Sequence, residues 1–423
     1  MRHVILGNGP AGVVASELIR KYAPNDEIVL VGAEPEPSYS RMAIPYLLMG
    51  KIDEAGTYLR KNPAHFDLLG IRLKTARAKS VNARLRSVSF DDGTTLPFDR
   101  MLIATGSVPL RPAIPGIDLP GVHPCWTLGD ARKILALARP GARVLQIGAG
   151  FIGCIIMESL AARGVKLTVV EMGDRMVPRM MGQGAGGMIK RWVQKKGVAV
   201  HTSTRVELIR AGGDGAPLEA QLSSGQRMKV DLVISATGVN PSIDFLRDSG
   251  IDCQRGVLTD ARTQTSVPGI YAAGDCAEAF DAVTGKPTVS ATQPNAVDQA
   301  SCAALNMVGR ETQMSWVTQI NVLDTLGLIS SSFGQWQGVP GGEHVERSDE
   351  EAFKFLRLEF DRDVLVGANA IGLTERVGVI RGLLQARARL GEWKDRLLRD
   401  PTLLGEAFIA RTQAQDSWLA RVV

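Results

Sequence analysis

The residues best placed to do chemistry in this chain are glycines. The apolar run Val4-Ile5-Leu6 meets Gly7-Asn8-Gly9-Pro10-Ala11-Gly12, and the spacing Gly-x-Gly-x-x-Gly sets bare backbone N–H groups at the mouth of a following helix. Those groups and the helix N-terminus can receive a pyrophosphate. Glu34 stands after the run Ile28 to Val31, where a carboxylate can accept both hydroxyls of an adenosine ribose. The pattern returns: Arg143 to Ile147 enters Gly148-Ala149-Gly150-Phe151-Ile152-Gly153, and Lys166 to Val170 ends at Glu171. Two such units with the same downstream acid point to one site each for two dinucleotides. Glu171 repels a 2′-phosphate, so NADH is preferred to NADPH at the second site; Arg175 could swing toward a phosphate and weaken that preference.

The elements that must carry these turns follow from periodicity. Helix spacing over Val13 to Lys21 puts Val14, Leu18 and Ile19 on one side, between two strands. After Glu34, Pro35 to Tyr46 is a proline-punctuated loop fit to line a ligand, passing into a short helical stretch to Met49. Ala76 to Val81 and Arg86 to Phe90 read as a small antiparallel layer. Met101 to Ile103 is a buried strand closing on Ala104-Thr105-Gly106, after which Pro109, Pro112, Pro115 and Pro120 stiffen a crossover that reads as a domain boundary. Asp231 to Ala236 is a further strand closing on Thr237-Gly238. Tyr271 to Asp275 is a strand that delivers an acid through a glycine turn, and Gln293-Pro294-Asn295 opens a helix running to about Met307 with Asn295 as its N-cap. Beyond Trp316 come strands at Gln319 to Leu323, Leu328 to Phe333, Phe353 to Phe360 and Val364 to Ile371. A helix capped by Thr374 follows, with Val377, Ile380, Leu383 and Leu384 inward and Arg376, Arg381, Arg387 and Arg389 outward.

Length and composition agree with this partition. A chain of 423 residues, 45% hydrophobic and 22% charged, is too long for one core. Its formal charge of +5 is modest, so nucleic-acid binding is not implied, although an acidic protein partner is compatible with it. The first strand begins almost at Met1, which leaves no room for a signal peptide, and no apolar run is long enough to span a bilayer; a cytoplasmic protein is expected. Cys125, Cys154, Cys253, Cys276 and Cys302 are scattered and odd in number, without metal-ligand spacing, which fits reduced thiols and no bound metal or iron–sulfur cluster.

The combination resembles the two-dinucleotide flavoproteins of the pyridine nucleotide-disulfide oxidoreductase superfamily, over nearly the whole chain. The resemblance implies an α/β fold with two Rossmann-like dinucleotide-binding domains, for FAD and NAD, plus a C-terminal α+β domain. Residues 1–115 and 241–315 would form a discontinuous FAD domain, 116–240 the NAD domain, and 316–423 the interface domain. It assigns Gly7, Gly9, Pro10, Ala11, Gly12, Glu34, Arg41, Met42, Ala78, Ala104, Thr105, Gly106, Gly274, Asp275, Pro294, Asn295 and Ala296 to FAD, with Asp275 on the ribityl chain and the helix at Asn295 facing the flavin pyrimidine edge. Gly148, Gly150, Phe151, Ile152, Gly153, Glu171 and Gly238 fall to NADH. Within the superfamily the C-terminal part is most similar to nitrite reductase flavin modules and to rubredoxin and ferredoxin reductases, and Tyr39-x-Arg41 is similar to their flavin-contacting loop.

Three positions depart from that pattern. Met42 occupies the place of the redox cysteine of some relatives, and a thioether forms no mixed disulfide. Ile155 and Tyr46 replace the glutamate and lysine that in relatives position the nicotinamide, and Glu158, one helical turn on from Ile155, is the remaining candidate on that face. The resemblance therefore implies an FAD-dependent NAD(P)H oxidoreductase that passes electrons to a carrier protein: a rubredoxin, a ferredoxin, or a separate iron–sulfur or haem subunit. Direct reduction of a quinone or other small acceptor stays open. So does a flavin-bearing assembly subunit in which NADH signals redox state, with the glycine-rich Gly182 to Gly187 stretch as its flexible element. The partner's identity and the oligomeric state, homodimer or heteromeric complex, are left open by the sequence.

Overall fold

The computed structural model describes residues 1–213, 216–281, 284–314 and 319–419, the side chains of 412–419 excepted. They form two compact units. The first gathers Met1–Leu110, Trp126–Ala131 and the stretch from Val239 through the Gln293–Met307 helix. Its sheet runs Ile270–Ala272, Arg100–Ile103, Arg2–Leu6, Glu27–Gly32, Ile71–Thr75, all parallel. Both faces of a parallel sheet are covered, which is why these strands read as continuous apolar runs rather than as alternations. Ile5, Leu30 and Leu102 meet the apolar side of the Pro10–Tyr22 and Gln293–Met307 helices. On the other face Val4, Val31 and Met101 pack on Val81, Val88 and Phe90 of a three-stranded antiparallel layer, Ala78–Asn82, Ser87–Phe90 and Thr95–Pro97.

The second unit holds Arg111–Cys125, Arg132–Gly238 and the C-terminal strands and helices. Its parallel sheet runs Ala199–His201, Lys166–Val170, Arg143–Ile147, Leu232–Ser235, Val122–Pro124. The fingerprint strand again lies third, flanked by the strand that leads to the acid and the strand that leads to Ala-Thr-Gly. Only the strand beyond the one leading to Ala-Thr-Gly differs in origin: Val122–Pro124 comes from before the fingerprint here, and Ile270–Ala272 from after it in the first unit. A five-stranded antiparallel sheet follows, ordered Ile320–Thr325, Leu328–Gly334, Val364–Ile371, Lys354–Asp361, Glu343–Asp349. Phe333, Leu358 and Phe360 bury one of its faces against Ile380, Leu383 and Leu384 of the Val377–Ala386 helix, the stripe expected from the sequence.

Three local expectations are corrected, and one strand was not expected. The Gln293–Met307 helix starts two residues before Asn295, with Thr292 as N-cap, because Pro294 tolerates only the first turn, where its missing N–H is no loss. Asn295 instead turns its side-chain amide to Ser290 Oγ. Thr374 caps no α-helix: it opens a 3₁₀ turn, Thr374–Arg376, and Arg376 precedes the helix. The Gly182 to Gly187 stretch is the start of a regular helix, Gln183–Lys195, and removes the flexible element on which the assembly-subunit reading leaned. Its glycines serve close packing: a Cβ on Gly184 would stand 2.9 Å from the Phe355 ring and one on Gly186 2.6 Å from Met176 O. Finally, Glu343–Asp349 is an edge strand that no apolar alternation announces, since only Val345 reaches the core and the rest face solvent.

Candidate functional site

In each unit the fingerprint turn is closed by the strand beside it. Gly7 has φ +116°, and a Cβ there would lie 2.0 Å from Ala104 O; Gly148 has φ +99°, and a Cβ there would lie 2.4 Å from Ala236 O. Both positions therefore demand glycine twice over, for conformation and for space. The third glycines close the turn from inside, since a Cβ on Gly12 or Gly153 would sit 1.8 or 2.6 Å from the carbonyl of Gly7 or Gly148. The middle glycines differ. Gly9 and Gly150 have nothing within 4 Å of a Cβ position. Each is the N-cap of its helix, and neither helix has a side-chain cap there. A helix N-terminus and clear space at the middle glycine fit a pyrophosphate in each turn, with Pro10 and Ala11, or Phe151 and Ile152, as the first helical residues.

The acids are already engaged. In the first unit, Glu34 accepts from Tyr39 Oη at 2.5 Å and from Arg41 Nη2 at 2.7 Å. An ionised carboxylate offers about four lone-pair positions, so capacity for ribose hydroxyls remains. Arg41 also donates to Trp126 O at 2.9 Å with its guanidinium 5.1 Å from the Trp126 ring. Trp126 Nε1 donates to Ser107 O at 2.9 Å, and Ser107 Oγ donates to Asp275 Oδ2 at 2.8 Å. A connected line of polar contacts thus runs from Glu34 to Asp275. Burial pushes the Asp275 carboxyl above its usual range, against the pull of the Ser107 hydroxyl and the Arg41 charge.

Asp275 is placed by a glycine between two helices. Gly274 has φ +82°, and a Cβ on it would stand 3.4 Å from Ala296 and 3.8 Å from Ala11. Its N–H donates to Gln299 Oε1 at 2.7 Å, while Gln299 Nε2, on a side chain 1% exposed, has no hydrogen-bond partner among the described residues. A buried orphan donor beside the glycine turn fits an oxygen-rich ligand. The Ala104-Thr105-Gly106 crossover is fixed within the same unit, with Thr105 Oγ1 donating to Ser242 O at 2.7 Å and Gly106 O accepting from Ser242 N at 2.9 Å. Pro294, Asn295 and Ala296 form the first turn of their helix, as expected of a helix mouth. Ala78 opens the antiparallel layer and packs on the core beneath the main sheet. Met42, in the 3₁₀ turn Arg41–Ala43, and Tyr46, in the short helix Ile44–Leu48, are 51% and 50% exposed.

In the second unit, Glu171 accepts Ala149 N–H and Gly173 N–H, both at 2.7 Å, which ties the acid to the fingerprint turn itself. Arg175 is held rather than free to swing: Nε donates to Met181 O at 2.8 Å and Nη1 to Asp174 at 2.7 Å. Gly238, with φ +113°, follows Ala236 and Thr237 at the end of the adjoining strand. Glu158 is half-buried on the Phe151–Ala162 helix.

Burial raises four of the five thiols: the buried Cys154 is pushed up to about 12 by desolvation, and Cys253, Cys276 and Cys302 are raised as well. Among the described residues no cluster could hold a metal ion, and no helix is long and apolar enough to cross a membrane. Sequence reasoning missed Ser107, Trp126 and Gln299. Gln299 alone left a signal, standing one helical turn beyond Asn295.

Known proteins of this construction exist. A profile described as pyridine nucleotide-disulphide oxidoreductase matches residues 1–301. The chain is 34% identical over 350 residues to an NADH oxidase of Methanocaldococcus jannaschii, covering 79% of this chain and 77% of that one. It is 28% identical to the epsilon subunit of the NADH-dependent phenylglyoxylate dehydrogenase of Aromatoleum evansii, over 97% of this chain and 98% of that one. The covalent putidaredoxin reductase–putidaredoxin complex contains a chain of the same fold, with TM-score 0.89 and 22% identity over 97% of this chain and 99% of that one. The chain belongs to the pyridine nucleotide-disulphide oxidoreductase family and is an oxidoreductase with FAD and NADH as its cofactors.

Proposed function

We propose that the chain takes electrons from NADH and delivers them through FAD to an electron-carrier protein. The carrying observation is the pair of fingerprint turns, each with an open middle glycine and a downstream acid, together with an exposed methionine where some relatives have a redox cysteine. Residues 1–115 and 241–315 would hold FAD, 116–240 would hold NADH, and 316–423 would serve the partner. In the first region the amides around Gly9 bind the pyrophosphate, Glu34 the adenosine ribose, and Asp275 the ribityl hydroxyls. When bound, FAD supplies the step between a two-electron donor and a one-electron acceptor. The chain's own task is to hold the two cofactors and keep competing chemistry out, and no side chain has to move a proton. Its thiols stay out of the reaction in this reading: four of the five are buried, and burial raises Cys154, Cys276 and Cys302.

Relatives support the carrier. They include ferredoxin–NAD(+) reductase components of the biphenyl dioxygenase system of Paraburkholderia xenovorans and the anthranilate dioxygenase system of Burkholderia cepacia. The full-length likeness to a dehydrogenase subunit supports a partner within a multi-subunit assembly, and the basic charge of +5 fits an acidic one. A cytoplasmic setting is part of this reading. The test is NADH oxidation with a small iron–sulfur protein, a quinone or oxygen as acceptor. Faster turnover with the iron–sulfur protein upholds the proposal. A second reading, direct reduction of oxygen or another small acceptor, is favoured by the NADH oxidase likeness, and fastest turnover with oxygen or quinone would establish it instead.

A further inference from the structure

The second fingerprint is braced by a residue more than two hundred positions downstream. Asn369 lies on the Val364–Ile371 strand and is 0% exposed. Its Nδ2 donates to Met180 O at 2.9 Å and its Oδ1 accepts from Gly182 N at 2.9 Å, so both ends of one buried amide grip the same loop. That loop descends from Glu171. Met180 N and Met181 N both donate to Val177 O at 3.0 Å, and Val177 N donates to Ala149 O at 2.8 Å, in the middle of the fingerprint. Val177 is 1% exposed with φ +50°, a conformation that a β-branched residue holds only where its surroundings over-determine it.

The helix that begins beside Gly182 is fastened to the same C-terminal sheet. Trp192 Nε1 donates to Thr325 O and Leu326 O at 3.1 Å, and the Trp192 ring meets Phe353 edge-on at 4.9 Å. The sheet therefore grips the loop at Asn369 and its continuation at Trp192. The fingerprint strands also have a buried core of their own, with Leu145, Ile147 and Val170 packed on Val206, Leu218 and Ala220.

We propose that Asn369 is a positioning residue for NADH: by fixing Met180 and Gly182 it holds Val177 on Ala149, and so keeps Ala149, Gly150 and Glu171 in the geometry that receives the dinucleotide. This rests on the assignment of the second fingerprint to NADH. Loss of the grip weakens dinucleotide binding without slowing the enzyme once the site is filled.

The experiment compares holoprotein with Asn369→Ala and with Asn369→Thr, which keeps an oxygen acceptor for Gly182 on a side chain suited to a strand. Steady-state rates are taken with ferricyanide as a non-protein acceptor, and amide exchange is followed at Val177 and Gly182. The expected result is a KM for NADH raised about tenfold in Asn369→Ala and less in Asn369→Thr, with kcat within about twofold, and faster exchange at both amides. An unchanged KM overturns the proposal, as does a fall in kcat matched by faster exchange across the C-terminal sheet, which would mark general loosening. Wild-type protein that accepts no NADH overturns the dinucleotide assignment itself, and this control separates that failure from failure of the Asn369 grip.

Discussion

Gly150 separates binding from stability more cleanly than any other position. It has ordinary backbone torsions, φ −76° and ψ −170°, and no atom lies within 4 Å of a Cβ built on it. Gly150→Ala therefore meets no strain and no clash. Restricting the unfolded chain contributes roughly 0.4–1 kcal/mol, and replacing glycine by alanine at an N-cap costs on the order of 1 kcal/mol, so the two nearly offset. The variant's melting temperature should stay within a few degrees of wild type. A methyl group in that clear space would nonetheless stand where backbone must approach a pyrophosphate. Losing one or two charge-assisted hydrogen bonds at about 1.5–3 kcal/mol each raises the dissociation constant for NADH by about tenfold to a thousandfold or more. Gly148→Ala is the contrast: with φ +99° and Ala236 O 2.4 Å away, it should destabilise the fold as well. The assay pairs thermal melts with NADH titration of each variant. A Gly150→Ala protein that binds NADH as tightly as wild type would refute the reasoning, because the open space would then have no ligand to receive.

Other outcomes follow from the same geometry. Because burial raises the Asp275 carboxyl, the folded protein keeps its proton to higher pH than the unfolded chain, so this group's contribution to stability declines as pH rises from 3.8 through the folded value. In cofactor-free protein Asp275→Asn should remove that decline, gaining on wild type near neutral pH and converging with it in acid; a gap that does not change with pH in denaturant titrations would contradict this. Glu171→Gln weakens a charge-assisted tie to Ala149 and Gly173 and removes the repulsion of a 2′-phosphate, so the KM for NADH should rise about tenfold while the preference for NADH over NADPH shrinks. With a disulfide reagent, native protein should react at Cys253, the one exposed thiol among the five, and the count should not change on adding NADH. New thiols on NADH addition would restore disulfide chemistry to the account.

What the sequence made legible was whatever local sterics dictate. Gly7, Gly148 and Gly274 could be picked out because a left-handed turn or a carbonyl at van der Waals distance admits no other residue. The buried parallel strands showed as apolar runs because both of their faces are covered. Positions set by long-range partners were not legible. The Glu343–Asp349 strand exists through pairing with Lys354–Asp361 and carries no apolar period of its own. The glycines at 184 and 186 read as looseness until Phe355 and Met176 were seen against them. Asn295 and Thr374 looked like caps by type, but proline chemistry in one case and a 3₁₀ turn in the other moved the helix starts. The line from Glu34 to Asp275 escaped notice because Ser107 and Trp126 join it only through space.

The central claim is that NADH, bound by this chain, delivers its electrons to the chain's own FAD. Anaerobic titration of the holoprotein with NADH, read at the visible flavin band, tests it directly. One equivalent of NADH per flavin should bleach the band, with no thiol released. A band that NADH leaves unchanged while dithionite removes it would contradict the account.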